Sequence, residues 1–268
     1  MMSGVLPAAG HRPVGALLRH WRLQRRLSQL ELSGRTDIST RHLSFVENGR
    51  ATPSRQLLLR LAEQLQVPLR ERNQLLLASG YSPEFAETAL DAPPMAAVRA
   101  AVSQLLTGHQ PNPALAVDRY WEIVETNAGM ALFLDGIPGH LLEPPANCLR
   151  VALHPDGLAP RIANLAQWRG RLLHRLREQV RLTGDGRLAA LERELTGYPG
   201  GEEPVRGTAP EQVVAPLRLW HNGRVLSFFS AVTIFGTPLD VVAAELAIES
   251  FFPADAATAE VLRVRADR

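Results

Sequence analysis

Between Ser28 and Arg50 the chain reads Ser-Gln-Leu-Glu-Leu-Ser-Gly-Arg-Thr-Asp-Ile-Ser-Thr-Arg-His-Leu-Ser-Phe-Val-Glu-Asn-Gly-Arg, and its polar side chains are spaced to hold an anion, not to break a bond. If Leu32, Ile38, Leu43 and Val46 turn inward at helical spacing, then Thr40, Arg41 and Ser44 are left at one bare helix end, beside Ser39, which is placed to cap it. The free amides and the dipole of such an end attract phosphate. Arginine adds a planar fork that grips phosphate or the edge of guanine through two parallel hydrogen bonds. The same spacing also fits a plain helical hairpin with a solvated polar face. Catalytic groupings are missing elsewhere. Eight His and 27 acids are scattered without metal-ligand spacing, and there is no Gly-rich phosphate loop, Gly-x-Ser-x-Gly elbow or His-Glu-x-x-His pair. His154 and Asp156 have no nucleophile nearby. The expectation is a protein that is not an enzyme, with no catalytic residue, no metal and no required cofactor.

Composition bounds the rest. With 268 residues, 46% apolar and 21% charged, the chain has the make-up of a soluble globular protein of one or two domains. Its charge is unevenly spread: residues 1–80 hold twelve Arg against five acids, and the remainder seventeen Arg against twenty-two. A basic head on an acidic body suits a polyanion-binding module joined to something else, though a merely solvated basic face would look the same. Lysine is absent, so every fixed cation is arginine. Cys148 is the only cysteine, which excludes an internal disulfide and a cysteine-based zinc site. No apolar run approaches the ~20 residues needed to span a bilayer, and no signal-peptide core opens the chain, so a cytoplasmic protein without a membrane partner is expected.

The periodicity predicts how these residues are held. Residues 1–12 read as a loose tail and 13–80 as five short helices: Leu17, Leu18, Trp21 and Leu27 on the first, Ser28 with Glu31 in capping-box spacing, and Ser39 opening the third. The third helix stops at Asn48-Gly49. Leu57, Leu58, Leu61 and Leu65 turn inward on the fourth, and Leu75, Leu76 and Leu77 on the fifth. Residues 81–94 read as a linker and 95–268 as a second domain. There a helix at 95–106 precedes two short strands at 114–118 and 122–126, with helices at 161–182 and 187–196 parted by Gly184-Asp185-Gly186. The clearest hairpin is 213–219 and 225–235 around Asn222-Gly223, a pair suited to a type I′ turn. Residues 239–252 are ambiguous, with strand favoured by the alternation of Leu246 and Ile248 with acids and Ala247.

The head resembles the Cro/lambda-repressor (XRE) family of helix-turn-helix proteins, through Ser28-Gln29, Leu32, Ile38-Ser39, Val46-Glu47, Asn48-Gly49, Pro53-Ser54, Leu61-Ala62 and Leu65. Asp37 stands where that family usually has glycine in the turn, and Asp tolerates a left-handed backbone better than most residues. The resemblance implies a bacterial transcription regulator that binds duplex DNA, with Gln29 and Asn48 on phosphate, Arg50 nearby, Thr40, Arg41 and Ser44 towards the bases, and Ser39 counted with them as DNA-binding. His42 is as readily idle, and Glu47, an acid that DNA would repel, is read as structural. Such modules usually read paired half-sites, so a homodimer on a palindromic operator is expected.

The body is similar to MmyB-like transcription regulators, through Leu69-Arg-Glu-Arg-Asn73, residues 75–81 and 114–127, Leu153-His-Pro-Asp-Gly-Leu-Ala-Pro-Arg-Ile162, residues 165–169, Leu226-Ser-Phe-Phe-Ser230, Phe235-Gly-Thr-Pro-Leu-Asp240 and residues 245–255. That resemblance implies a PAS-like antiparallel sheet with helices over one face, an α+β chain as a whole, and Asn127 capping the helix after the second strand. It also implies a small apolar, fatty-acid-like effector. Trp121, Phe133, Leu153, Trp168, Phe228 and Phe229 are the wall candidates, though each serves equally as plain core. Arg150 and Arg161 could hold a carboxylate, and His154 or Asn164 could donate hydrogen bonds. The competing reading makes this domain a ligand-free dimerisation or partner-binding module.

Overall fold

Three serines open helices in the head, each with its own hydroxyl. Ser28 Oγ accepts from the Glu31 amide while Glu31 Oε2 accepts from the Ser28 amide, closing the capping box at 3.1 and 2.7 Å. Ser39 Oγ accepts from His42 N at 3.1 Å and Ser54 Oγ from Leu57 N at 3.3 Å. In the computed structural model, residues 13–203, 216–236 and 239–266 are described. They divide into two units, residues 1–87 with 239–241, and residues 88–238 with 242–268. The tail expected at 1–12 and the first residues expected in the hairpin, 213–215, lie outside the described residues.

The head contains α1 (Val14–Gln24), α2 (Gln29–Thr36), α3 (Thr40–Glu47), α4 (Arg55–Gln64) and α5 (Leu69–Ala78). Leu18, Trp21, Leu32, Leu43, Val46, Leu58, Leu61, Leu65, Leu75 and Leu76 fill its core, each leucine contributing about 1.5–3 kcal/mol by leaving water. Leu77, expected inside, is 51% exposed because it falls on the opposite face of α5, and Leu17 and Leu27 are half-buried. Asp37 ends α2 at φ 53 and ψ 49, the left-handed turn expected of it. Gly15 lets α1 approach the end of α3: a Cβ there would lie 2.4 Å from the Val46 carbonyl oxygen. Past α5 the chain is tied back, as Asn73 Oδ1 accepts from the amides of Glu84 and Phe85 and its Nδ2 donates to Phe85 O.

The second unit is built on five antiparallel strands in the order β2-β1-β5-β4-β3. In chain order it runs α6 (Ala96–Gly108), β1 (Ala114–Val117), β2 (Ile123–Thr126), α7 (Ala131–Leu134), α8 (Gly139–Leu142), α9 (Cys148–Leu153), α10 (Leu165–Thr183) and α11 (Gly186–Thr196). Then come β3 (Leu217–His221), β4 (Arg224–Ile234), a short helix Val241–Glu245, β5 (Ala247–Pro253) and the C-terminal helix Ala256–Ala266. The segment 239–252 is therefore helix and then strand, and the C-terminal helix was not expected. Asn222 and Gly223 turn the hairpin at φ 48 and 74, as a type I′ turn requires.

The strand period of two sorts the core. Leu115 and Val117 of β1 face one way, joining Phe251 of β5 and the helices α7, α9, α10 and α11. Ala114 and Ala116 face the other way, against Val102 and Leu106 of α6 with Ile248 of β5. Helices thus cover both faces at β1 and β5, where one face was expected. Asn127 begins the helical turn after β2 without a side-chain cap. Its amide accepts from Ala114 N and donates to Leu106 O and Asn112 O, stitching α6 to the sheet.

Candidate functional site

The N-terminal end of α3 presents Ser39 and Arg41 exposed, with Thr40 and Ser44 half-buried. Thr40 Oγ1 lies 3.0 Å from Ser33 Oγ, which pins the start of α3 onto α2. The Arg41 guanidinium lies over the Phe45 ring at 5.3 Å, so its stem is supported while its fork stays in solvent. At the other end of α3, Asn48, Gly49 and Arg50 are exposed, and Asn48 Nδ2 donates to Ser44 Oγ at 3.3 Å.

Glu47 is the one acid of α3, and the fold removes it from the surface. Its Oε1 accepts from Arg22 Nε at 2.6 Å and its Oε2 from Arg22 Nη2 and Gln29 Nε2, both at 2.8 Å. Hydrogen bonding to Glu47 raises the Arg22 pKa further above its usual range, against the opposing cost of burial. The pair is bidentate, the strong form of carboxylate recognition. Its electrostatic consequence is that α3 exposes the Arg41 cation and no negative side chain. Gln29, expected on phosphate, spends its amide N–H on Glu47. Sequence reasoning missed Arg22, whose signal is a place on the buried face of α1 next to Trp21.

In the second unit a cavity of about 70 Å³ lies between the sheet and the helices α7, α9 and α10. Leu115, Val117, Leu217 and Phe251 form its floor, and Phe133, Leu149, Val151, Trp168 and Leu172 its walls, with Trp121 and Ile123 at one side. Of the expected ligand residues, Trp121, Phe133 and Trp168 line it. Phe228 is fully buried but packs edge-on against Phe133 at 5.2 Å as core, and Leu153 is core as well. Phe229 points outward and stacks on Phe252 at 5.0 Å.

The four polar ligand candidates are not among the described residues lining the cavity, because each is held by local structure. Arg150 pairs with Glu194 through bonds of 2.7 and 2.8 Å. Arg161 donates to the carbonyls of Leu132, Phe133 and Asp135 at the end of α7. His154 accepts from the Asp156 amide at 3.1 Å and meets the Tyr198 ring edge-on at 5.1 Å. Asn164 bridges Gln167, Pro216 O and the Arg218 amide. Two groups that do line the cavity were missed, Cys148 and Glu249. Burial pushes the Cys148 thiol up, and the Glu249 carboxylate adds to the effect, so the sulfur stays protonated. An acid inside an otherwise apolar strand was the available signal for Glu249. No group of three or more His, Cys, Asp or Glu side chains able to hold a metal occurs among the described residues, and none of their helices is long and apolar enough to cross a membrane.

Comparison with known proteins matches residues 98–264 to the family described as MmyB-like transcription regulator ligand binding domain, and residues 18–72 to helix-turn-helix. Both are regulatory DNA-binding and ligand-binding families, not enzyme families. No curated protein matches the sequence. Among solved structures the chain is similar to an RNA-binding light-oxygen-voltage receptor at 12% identity, covering 93% of this chain and 59% of that one with a TM-score of 0.25. That likeness is too slight to bear on fold or function.

Proposed function

The chain belongs to the MmyB-like transcription regulators, DNA-binding regulators that carry a ligand-binding domain, and from that premise we propose that α3 reads duplex DNA in the major groove while the sheet domain senses a small apolar effector. Arg41 is the reader of guanine, with Thr40 and Ser44 beside it, and Asn48 and Arg50 meet phosphates. One head offers few base contacts, which supports a homodimer acting on a palindromic operator in the cytoplasm of a bacterium. The strand order and the largely apolar cavity lining support a PAS-like arrangement, with aliphatic, fatty-acid-like chains as the effector class.

The observation that carries this reading is the burial of Glu47 against Arg22 and Gln29, which leaves α3 without an exposed negative side chain. Effector control requires that ligand bind the two DNA-binding states unequally. The test is the affinity of the full chain for a duplex it retains from sheared genomic DNA, measured with and without 1-octanol. A change of roughly 5–150-fold, the usual range of coupling between sites, supports effector control. Equal affinity at saturating octanol overturns it and leaves the second domain as a pairing module.

A further inference from the structure

Trp121 is the only aromatic residue with a left-handed backbone among the described residues, at φ 66. A side chain of that bulk rarely adopts this region and persists there only where its surroundings over-determine it. They do so here. Trp121 lies in the turn between β1 and β2, where its amide donates to Asp118 O at 3.1 Å and its carbonyl accepts from Cys148 N at 2.9 Å. Gln179 of α10 clasps the same turn twice: its Nε2 donates to Arg119 O at 2.7 Å and its Oε1 accepts from Trp121 Nε1 at 2.8 Å. Two residues earlier the turn carries a second cost, since Arg119 Nε is buried with no hydrogen-bond partner among the described residues. Strained backbone and orphaned buried donors concentrate at clamps and switches.

The turn faces two ways. On one side the Trp121 ring lines the cavity. On the other, Arg119 bridges Asp185 Oδ2 at 2.8 Å and Glu245 Oε1 at 3.0 Å, with its side chain only 10% exposed. Glu245 closes the short helix Val241–Glu245 just before β5. That helix begins in one unit and ends in the other: Val241 counts with the first, where its amide donates to Ala86 O at 2.8 Å, and Val242 onward counts with the second. We propose that the turn 118–122 is the switch of this protein, passing occupancy of the cavity from Trp121 through Arg119 and Glu245 to residues 239–245 and so to the DNA-binding unit. The inference rests on the reading of the cavity as an effector site, and it names how that site is read out. A molecule in the cavity meets the Trp121 ring and binds the left-handed and relaxed arrangements of the turn unequally, which is what effector control requires. Arg119 and Glu245 touch neither effector nor DNA in this account. They are positioning residues, and their role shows in the coupling between the two sites.

The experiment measures three affinities in the full chain and in Glu245→Ala: for 1-octanol and octanoate by calorimetry, for the retained duplex alone, and for that duplex at saturating probe. Glu245→Ala cuts the exit of the route and leaves Arg119 on Asp185. In the unmodified chain the probe is expected to shift DNA affinity at least ~5-fold. In the variant, probe affinity and probe-free DNA affinity are expected to stay within ~2-fold of the unmodified chain while the shift itself falls below ~2-fold, under the range of true coupling. A shift of undiminished size in the variant, or a variant that no longer binds the probe, overturns the switch and leaves effector control standing. Hydrogen exchange on the unmodified chain gives a reading that needs no variant: saturating probe is expected to change protection at 118–123 and 239–247 together, and unchanged protection at 239–247 overturns the inference. No shift of DNA affinity in the unmodified chain with either probe overturns effector control and the switch with it.

Discussion

The head and the body use the same residue types for opposite ends. In the head, the arginines at α3 are turned outward: Arg41 and Arg50 are exposed, while Arg22 is buried and draws Glu47 in with it, and Arg25 and Arg72, away from α3, donate to backbone carbonyls. In the body, arginine is turned onto the protein itself. Arg150 holds Glu194, Arg161 holds three carbonyls, and Arg169 donates to the carbonyls of Leu195, Thr196, Tyr198 and Pro199. A surface that binds a polyanion needs cations with free ends. A cavity that binds an apolar molecule needs its polar groups kept elsewhere, satisfied, so that loops can be buried around it. The lesson is that an arginine near a ligand site is a scaffold residue until its donors are found unspent.

The comparison can be broken at several points. The largest effect is expected from Glu47→Ala, which leaves Arg22 buried without its partner and costs about 3–5 kcal/mol. Helical circular dichroism during urea unfolding should show the head melting first, and an unchanged profile would mean the pair does not organise α3. Next is Arg161→Ala, which uncaps three carbonyls and should destabilise the second unit by about 1.5–3 kcal/mol while leaving the octanol concentration for half-saturation unchanged. A loss of octanol affinity with unchanged stability would return Arg161 to the ligand.

Arg41→Ala and Arg50→Ala separate reading from gripping. The first should cost ~1–3 kcal/mol of discrimination between preferred and scrambled DNA. The second should weaken both equally and lower the salt slope by about 1. Competition binding across salt concentrations distinguishes them, and identical behaviour of the two variants would contradict the assignment. The smallest effect concerns acid. The Arg150 guanidinium, helped by the Tyr198 hydroxyl, holds the Glu194 carboxyl below the usual range. A carboxyl lowered on folding stabilises the protein above its unfolded pKa of ~4.3, and that contribution is lost as pH falls through the lower folded value. The pair is more than one-third exposed on its arginine side, so at most ~1 kcal/mol is expected. Glu194→Gln should flatten the acid limb of the stability profile by that amount, as read by thermal melts across pH.

Much of the head was legible because its rules are local. Ser28 with Glu31, Ser39 and Asp37 sit at helix ends whose chemistry is set within three residues. Leu77 was misplaced because three successive leucines carry no periodicity of their own. In the body, β1, β2 and the Asn222-Gly223 hairpin were legible by alternation and turn chemistry. Residues 239–252 were not, since a five-residue helix and a strand abut there and neither period is sustained. The C-terminal helix escaped notice although Asp255 marks its start, accepting from the Thr258 amide at 2.7 Å. The cavity itself was legible only in its aromatics, because Leu115, Leu172 and Phe251 would read the same in a solid core. Glu249, an acid where the strand should bury a hydrocarbon, was a signal left unread.

The account stands on α3 as a free, positively charged reader of duplex DNA, and the most direct measurement is selection by the full chain from a random-sequence duplex pool. The account predicts an enriched, two-fold symmetric motif bound at least ~10³-fold more tightly than its scrambled version at physiological salt. A pool that stays random through selection, or enriched and scrambled duplexes bound with equal affinity, would contradict it.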